Sequence, residues 1–316
     1  MKTKPVISVV IPCHNSEQTI EATLQSVANQ SVQNTEVIAV DDGSIDSTPK
    51  ILNEFAARDP RFKVISINNG GVSCARNAGY LCTSAPYVAF LDSDDIWHPP
   101  YLERLYEFCN ANPHVGIAFT SVRIVDKDGV PTGAVSSRKV TDLETLDFMS
   151  GNPTTTGSNL FIRRAVLKEL FGFVEGMNHA EDQLFLLQAR LAGWIVAGIS
   201  TPLVDYRQSD TGQSSDLEAM RHGWEQMIEM VMKTHPDEIA PLVKKARAQE
   251  MLYLSRRAMR LGIGISAALG YAKSALAANP LIVVDRSIQI LAAAASTVAE
   301  YSSPKSYRVI KQEIAS

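Results

Sequence analysis

Cysteine is scarce in this chain, long apolar runs are absent, and there is no excess of positive charge. Each shortage removes a class of function. The four cysteines (Cys13, Cys74, Cys82 and Cys109) lie far apart with no CxxC pair, so neither a zinc ribbon nor a disulfide framework is suggested. Reduced thiols in a cytoplasmic protein are the simplest reading. No window reaches the roughly 18 uninterrupted apolar residues of a membrane span. The opening MKTKPVISVVIP carries a short apolar run interrupted by proline, which suits a first strand better than a signal peptide. A formal net charge of -4 argues against nucleic acid as a partner, which would call for a basic field. The Walker A sequence and GxGxxG, two glycine loops that cradle phosphates, are missing as well.

What is present describes a globular α/β protein. The 316 residues suffice for one α/β domain and an appendage, and 45% hydrophobic with 20% charged residues is ordinary composition. Apolar, β-branched runs at Val6–Ile11, Thr35–Val40, Phe62–Ile67 and Val88–Leu91 read as strands. Between them, Glu17–Gln30, Ile51–Ala57 behind the cap Asp46-Ser47-Thr48, and Ser73–Leu81 read as helices. This alternation predicts a mostly parallel sheet flanked by helices. A helix to about Asn112, a strand Val115–Val125 and a hairpin turn at Asp128-Gly129 follow. Next are expected a polar loop from Pro131 to Pro153, a strand Ser158–Ile162, and helices through Leu170 and over Ala180–Ala192. Ile195–Ile199 and Leu203–Tyr206 read as two short strands. The polar stretch Gln208–Ser215 marks a boundary between an α/β domain over 1–215 and a helical region over 216–316. Its stripes (Trp224, Met227, Ile228, Val231; Met251, Leu252, Ala258, Met259; Ile288, Leu291, Ala292, Ala295) are most simply core faces. Peripheral membrane contact through these helices is the alternative, weakened by few lysines and arginines on a polar face.

Polar residues collect where the first, second and fourth strands end: Cys13-His14-Asn15, Asp41-Asp42 and Asp92-Ser93-Asp94-Asp95. Ligands of open α/β sheets bind at that carboxyl edge. Three carboxylates leaving one strand together repel unless a cation neutralises them, and a hard divalent ion with oxygen ligands suits them. Acidic turns that merely cap helices are the competing reading of both Asp clusters. With a nucleotide at the edge, Asp42 can accept from a base N–H, Asp92 can hold a ribose hydroxyl, and Asp94 a metal bridging phosphates. Arg76, just beyond Asn69-Gly70-Gly71, can reach a diphosphate, although an exposed helical arginine is the plain alternative. Ala75, Ala78 and Gly79 suit helix-to-sheet packing.

ISVVIPCHN, VDDGSIDST, NNGGVSCARNAG, FLDSDD and AEDQLFLLQARLAGW, in this order and spacing, resemble the family 2 glycosyltransferases of GT-A fold, over roughly Ile7–Ser215. The resemblance implies a Rossmann-like, mixed but mostly parallel sheet. It also implies a nucleotide-sugar donor, a UDP-sugar first, with Mn2+ or Mg2+ at a DXD-type site. Inverting transfer would be assisted by one carboxylate base. Carried over by position, Pro12, His14 and Asp42 surround the nucleobase, and Asn15, Asp41, Arg76, Asp92 and Ser93 also lie on the donor side. Asp92 and Asp94 form the DXD, with Asp94 the chief metal ligand. Asp182 falls at the place of the base. A single base suffices for inversion, and neighbouring Glu181 diverges from Asp182 by about 100° on a helix, so only one should face the site. A dipole-favoured acid at a helix start is the bland alternative for Asp182.

Two departures qualify the resemblance. Relatives often carry a histidine two residues after a Tyr-Arg like Tyr206-Arg207; Ser209 stands there, so Asp210 substitutes or the metal has fewer protein ligands. The QxxRW signature of processive synthases is absent, which favours one sugar per encounter. The expected acceptor is a hydroxyl of a glycan or lipid-linked oligosaccharide in bacterial surface polysaccharide assembly, in the cytoplasm or at the inner face of the plasma membrane. Asn152–Asn159 (NPTTTGSN), polar and flexible, is a candidate acceptor-side loop, with a plain surface loop as the equal alternative. A non-catalytic nucleotide-sugar-binding scaffold is the alternative function. A nucleotidyltransferase is a weaker one, because Pro12–Glu17 lacks the Gly-rich, lysine-containing loop it needs.

Overall fold

A computed structural model describes residues 4–136, 139–208 and 215–284. The chain divides into two compact units, Met1–Pro236 and Asp237–Ser316. The first opens with β1 (Ile7–Cys13), β2 (Thr35–Asp42), β3 (Phe62–Ile67) and β4 (Tyr87–Phe90), separated by α1 (Ile20–Ala28), α2 (Thr48–Arg58) and α3 (Val72–Leu81). β1 lies between β2 and β4, β3 lies outside β2, and all these pairings are parallel. β1 and β2 are buried along their whole length, the signature of strands covered on both faces. Ile7, Val9 and Ile11 join Ile20, Leu24 and Val27 of α1 in one core. Val10 points the other way, to α3, where Gly79 allows so close an approach that a Cβ would sit 2.4 Å from Val10 Cγ1. Each fully buried aliphatic side chain of this kind contributes about 1.5–3 kcal/mol.

The rest of the unit comprises β5 (Ile96–Trp97), α4 (Tyr101–Ala111), β6 (Val115–Val125), β7 (Pro131–Val135), α5 (Thr145–Met149), β8 (Leu160–Arg163), α6 (Arg164–Glu169), α7 (Glu181–Leu191) and β9 (Ile195–Arg207). The sheet runs β3-β2-β1-β4-β8-β6-β9-β5, with β7 paired to β6. β8 is antiparallel to both β4 and β6, and β9 runs parallel to β6 along most of its length. The result is the mixed, mostly parallel sheet that the alternation of elements predicts.

Three stretches differ from expectation. Pro131–Pro153 is not a plain loop, since it holds β7 and α5. All five residues of β7 are exposed and α5 has only five residues, so neither carries enough apolar periodicity to be read. Ile195–Ile199 and Leu203–Tyr206 are one strand, β9, which continues through exposed Ser200 and Thr201 with register shifts against β6. Finally, α8 (Leu217–Thr234) belongs to the first unit, past the expected boundary at residue 215. Buried Trp224 explains this, because its Nε1 donates to the Met149 carbonyl at 2.7 Å.

The point of division falls at a short turn, α9 (Pro236–Ile239). In the second unit, α10 (Val243–Arg260) packs on α11 (Ile265–Ala278), with the Ser255 hydroxyl donating to the Ala268 carbonyl at 2.7 Å. The apolar stripe Ile288, Leu291, Ala292 and Ala295 lies outside the described residues. Among the described residues no helix is long and apolar enough to cross a membrane.

Candidate active site

Because β1, β2 and β4 are parallel, the chain leaves all three at one edge, and the polar clusters meet there. Pro12 is buried within β1. Asp42 is buried at the end of β2, where Oδ1 and Oδ2 accept the amides of Gly70 (2.8 Å) and Gly71 (2.9 Å). The carboxylate expected to read a base therefore first holds the glycine corner, and each oxygen keeps a further lone pair. Gly71, with φ 86, suits a residue without a side chain. Asp41 Oδ1 accepts the Ser44 amide at 3.1 Å. Exposed His14 donates from Nδ1 to the Asp42 carbonyl at 2.8 Å and accepts the Asn15 side-chain Nδ2 at Nε2 at 3.0 Å, a tautomer assigned from these partners. The Ser93 hydroxyl pairs with that of Ser16 at 2.6 Å, and its carbonyl accepts from Thr19 at 2.9 Å and Thr23 at 3.1 Å.

The three carboxylates after β4 do not emerge together. Asp94 is exposed and Asp92 partly so, but Asp95 turns inward. Asp95 Oδ2 accepts the hydroxyls of Ser158 (2.5 Å) and Thr156 (3.3 Å), and Oδ1 accepts the Arg207 amide at 2.8 Å. Burial, then the charges of Asp94 and Asp92, pushes the Asp95 carboxyl well above its usual range. Trp97 anchors the exit of the loop, donating from Nε1 to the Ser158 carbonyl at 2.7 Å and stacking on Tyr101.

Arg76 is not an exposed helical arginine. It is 2% exposed, donating from Nη2 to Asp92 Oδ1 at 2.8 Å and from Nη1 to Glu181 Oε1 at 2.9 Å. Its guanidinium lies 5.4 Å from the Phe173 ring centroid. Burial opposes the charge, but Asp92, Glu181 and Asp182 outweigh it and hold the guanidinium above its ordinary pKa. One buried cation thus joins the Asp92 loop to the start of α7. Gly157 makes the bridge possible, since a Cβ there would stand 2.1 Å from Arg76 Nη2 and 3.2 Å from Asp92 Oδ2.

Asp182, in the first turn of α7, has separate partners. Its Oδ1 accepts the Gln183 amide at 2.7 Å and its Oδ2 accepts Asn152 Nδ2 at 2.6 Å. Burial and then the Glu181 charge push its carboxyl up to about 7, against the pull of Arg76. A carboxylate poised there can take or give a proton near neutral pH. The segment Asn152–Asn159, expected as a flexible polar loop, is instead largely buried: Thr154, Thr156, Ser158 and Asn159 all lie inside and hydrogen bonded. The roles of Asn152, Gly157 and Asp95 leave little trace in the sequence. Only the apolar Ile96-Trp97 beside Asp95 hints that it points inward.

Asp92 and Asp94 also bear on metal binding. Among the described residues no three His, Cys, Asp or Glu side chains are grouped to hold an ion. Mg2+ or Mn2+ in nucleotide enzymes takes one or two carboxylates and completes its shell with water and phosphate, so this pair fits such an ion. Ser209 and Asp210 lie outside the described residues.

The sequence profile described as Glycosyl transferase family 2 matches residues 8–171, and the chain belongs to that family. It is 32% identical over 200 residues to the minor teichoic acid biosynthesis protein GgaA of Bacillus subtilis (strain 168), covering 59% of this chain and 43% of GgaA. The chain spans between 43% and 62% of the length of three curated bacterial relatives. Among solved structures, S. aureus TarS 1-349 in complex with UDP-GlcNAc matches with TM-score 0.57 at 20% identity, covering 85% of this chain and 90% of that one. The mannosyltransferase PcManGT from Pyrobaculum calidifontis, in complex with GDP-Man and Mn2+, matches with TM-score 0.63 at 19% identity, covering 98% and 84%. These two likenesses establish the GT-A fold.

Proposed function

We propose that the protein is a metal-dependent, inverting glycosyltransferase that moves one sugar from a nucleotide-diphosphate donor, a UDP-sugar, to a hydroxyl of a glycan or lipid-linked acceptor. The observation that carries this reading is Asp182, a carboxyl raised to about 7 at the edge where the Asp92 loop meets α7. In this reading Asp182 removes the acceptor proton as its oxygen attacks C1 of the sugar, and one displacement inverts the centre. Pro12, His14, Asn15, Asp41 and Asp42 cradle the nucleobase side. Asp92 and Asp94 hold Mn2+ or Mg2+, which when bound supplies positive charge for the departing diphosphate. Arg76 keeps the Asp92 carboxylate aimed, and Ser93 fixes the loop between the two acids. Catalysis belongs to the α/β unit, working at the cytoplasmic side of the membrane. The donors named with TarS and PcManGT support the donor class, and the name of GgaA supports a role in bacterial surface polymers.

The test is a panel of UDP- and GDP-sugars with and without Mn2+, scored by thermal shift and by release of nucleotide. Asp182→Asn should keep donor-induced stabilisation while turnover falls by about 10²–10⁴, the usual worth of a positioned base. Equal loss of binding and turnover, or turnover at the wild-type rate, overturns the base assignment.

A further inference from the structure

Asn152 has no assigned role, yet its side chain is the best-oriented polar group beside Asp182. Its Oδ1 accepts two hydrogen bonds, from the Thr154 amide at 2.9 Å and the Thr154 hydroxyl at 2.7 Å. Only the oxygen can accept both, so the amide is oriented by its surroundings and its NH2 group must face Asp182 Oδ2, 2.6 Å away. Thr154 is itself immobilised. It is fully buried, and its carbonyl accepts Asn159 Nδ2 at 3.0 Å, while Asn159 Oδ1 accepts the Thr120 amide of β6 at 2.9 Å. A continuous chain of hydrogen bonds therefore runs from a core strand through Asn159, Thr154 and Asn152 to the carboxylate. The turn that presents Asn152 is strained as well. Thr155, a β-branched residue, adopts φ 73, and its buried hydroxyl has no partner among the described residues. Such strain persists where surrounding structure over-determines the backbone, as it does here.

We infer that Asn152 is a positioning residue for the transfer reaction, holding Oδ2 of Asp182 at a fixed angle so that the other lone pairs of the carboxylate meet the acceptor hydroxyl. This rests on the reading of Asp182 as the base. One N–H bond from Asn152 and one from Gln183 leave about two of the four lone-pair directions open to substrate. The amide also favours the charged form, opposing the Glu181 and Asp92 charges in the same sense as Arg76 does. Asn152→Asp would keep the shape and the bonds from Thr154 but place a second acid against Asp182.

The full chain tests this with UDP-glucose and UDP-GlcNAc plus Mn2+, by nucleotide release, alongside carboxyl 13C NMR titration without donor. For Asn152→Ala the expected result is a kcat down by about 10–100-fold with donor KM within about twofold, as for a misaimed base. Its acid limb, and the Asp182 titration seen by NMR, should move to higher pH. Asn152→Gln should recover part of the rate, and Asn152→Asp should be the slowest near neutrality. UDP-induced thermal shifts like those of wild type show that the variants fold. An Asn152→Ala enzyme with wild-type kcat and titration overturns the positioning role while leaving Asp182 in place, provided Asp182→Asn is inactive. If Asp182→Asn turns over normally, the base reading itself falls. If neither sugar is turned over, an Asp182 titration unmoved by Asn152→Ala overturns the proposal on the NMR evidence alone.

Discussion

Two sides of the same sheet edge are held in different ways. On the side of β1 and β2, polar groups find partners in neighbouring loops: Asp42 on the Gly70 and Gly71 amides, Asp41 on Ser44, His14 on Asp42. On the side of α7 the partners come from distant segments. Arg76 reaches Glu181 across 105 residues, and Asp95 reaches the Arg207 amide across 112. The first side assembles as each strand-loop-helix unit closes, whereas the second exists only once β8 and β9 have docked. Damage to the long-range side should therefore spread through the site, and damage to the local side should stay local.

Gly157→Ala should give the largest effect. Its new methyl would overlap Arg76 Nη2, so one of the two buried ion pairs must open. Breaking a buried pair costs about 3–5 kcal/mol, which chemical denaturation would register, and turnover should fall below detection. Gly79→Ala is the matching insult on the local side, pressing on Val10 and Val40. Overpacking of this kind costs about 1–3 kcal/mol, and turnover per folded molecule should stay at the wild-type level. If Gly79→Ala lost turnover while Gly157→Ala kept it, the contrast between the two sides would be wrong. Asp42→Asn is gentler. Its NH2 group would oppose either the Gly70 or the Gly71 amide, leaving one donor unpaired at a cost of about 1–3 kcal/mol, before any relaxation of the loop. Nucleotide affinity, read by calorimetry with UDP and Mn2+, should weaken while the pH dependence of turnover stays put.

The same division governs what could be read from the sequence. β1, β2 and β4 are visible as apolar runs because strands buried on both faces need apolar residues along most of their length, and their polar ends mark the edge. Asp92 and Asp94 stand out by spacing, but nothing local says that Asp95 turns inward, since that choice is made by Ser158 and Arg207. β7 is hidden because all its residues are exposed, and α5 because five residues are too few to show a helical period even though Phe148 and Met149 are fully buried. The strand β9 is masked by Ser200 and Thr201, where it passes through exposed positions, and by the Pro202 that follows. Asn152 looks like a loop residue until Thr154 and Asp182 are brought to it.

A pH experiment probes the long-range side most finely. Asp182 titrates near 7 in the folded protein against 3.8 for an ordinary aspartate, because burial and Glu181 disfavour its charge. Between those values the native state keeps a proton that the unfolded chain has released, which favours the native state. That contribution is complete below the unfolded value and is lost as pH rises through the folded one. Asp182→Asn removes the titration, whereas Asp94 and Asp95 remain in both proteins and cancel in the difference. Thermal melts of chelator-treated protein should show Asp182→Asn gaining on wild type between pH 5 and pH 8. Turnover runs the other way, since the base works when deprotonated, and should rise with pH through about 7. A stability difference flat across this range, with an acid limb near that of a free carboxylate, would mean that α7 leaves Asp182 as well solvated as a surface acid.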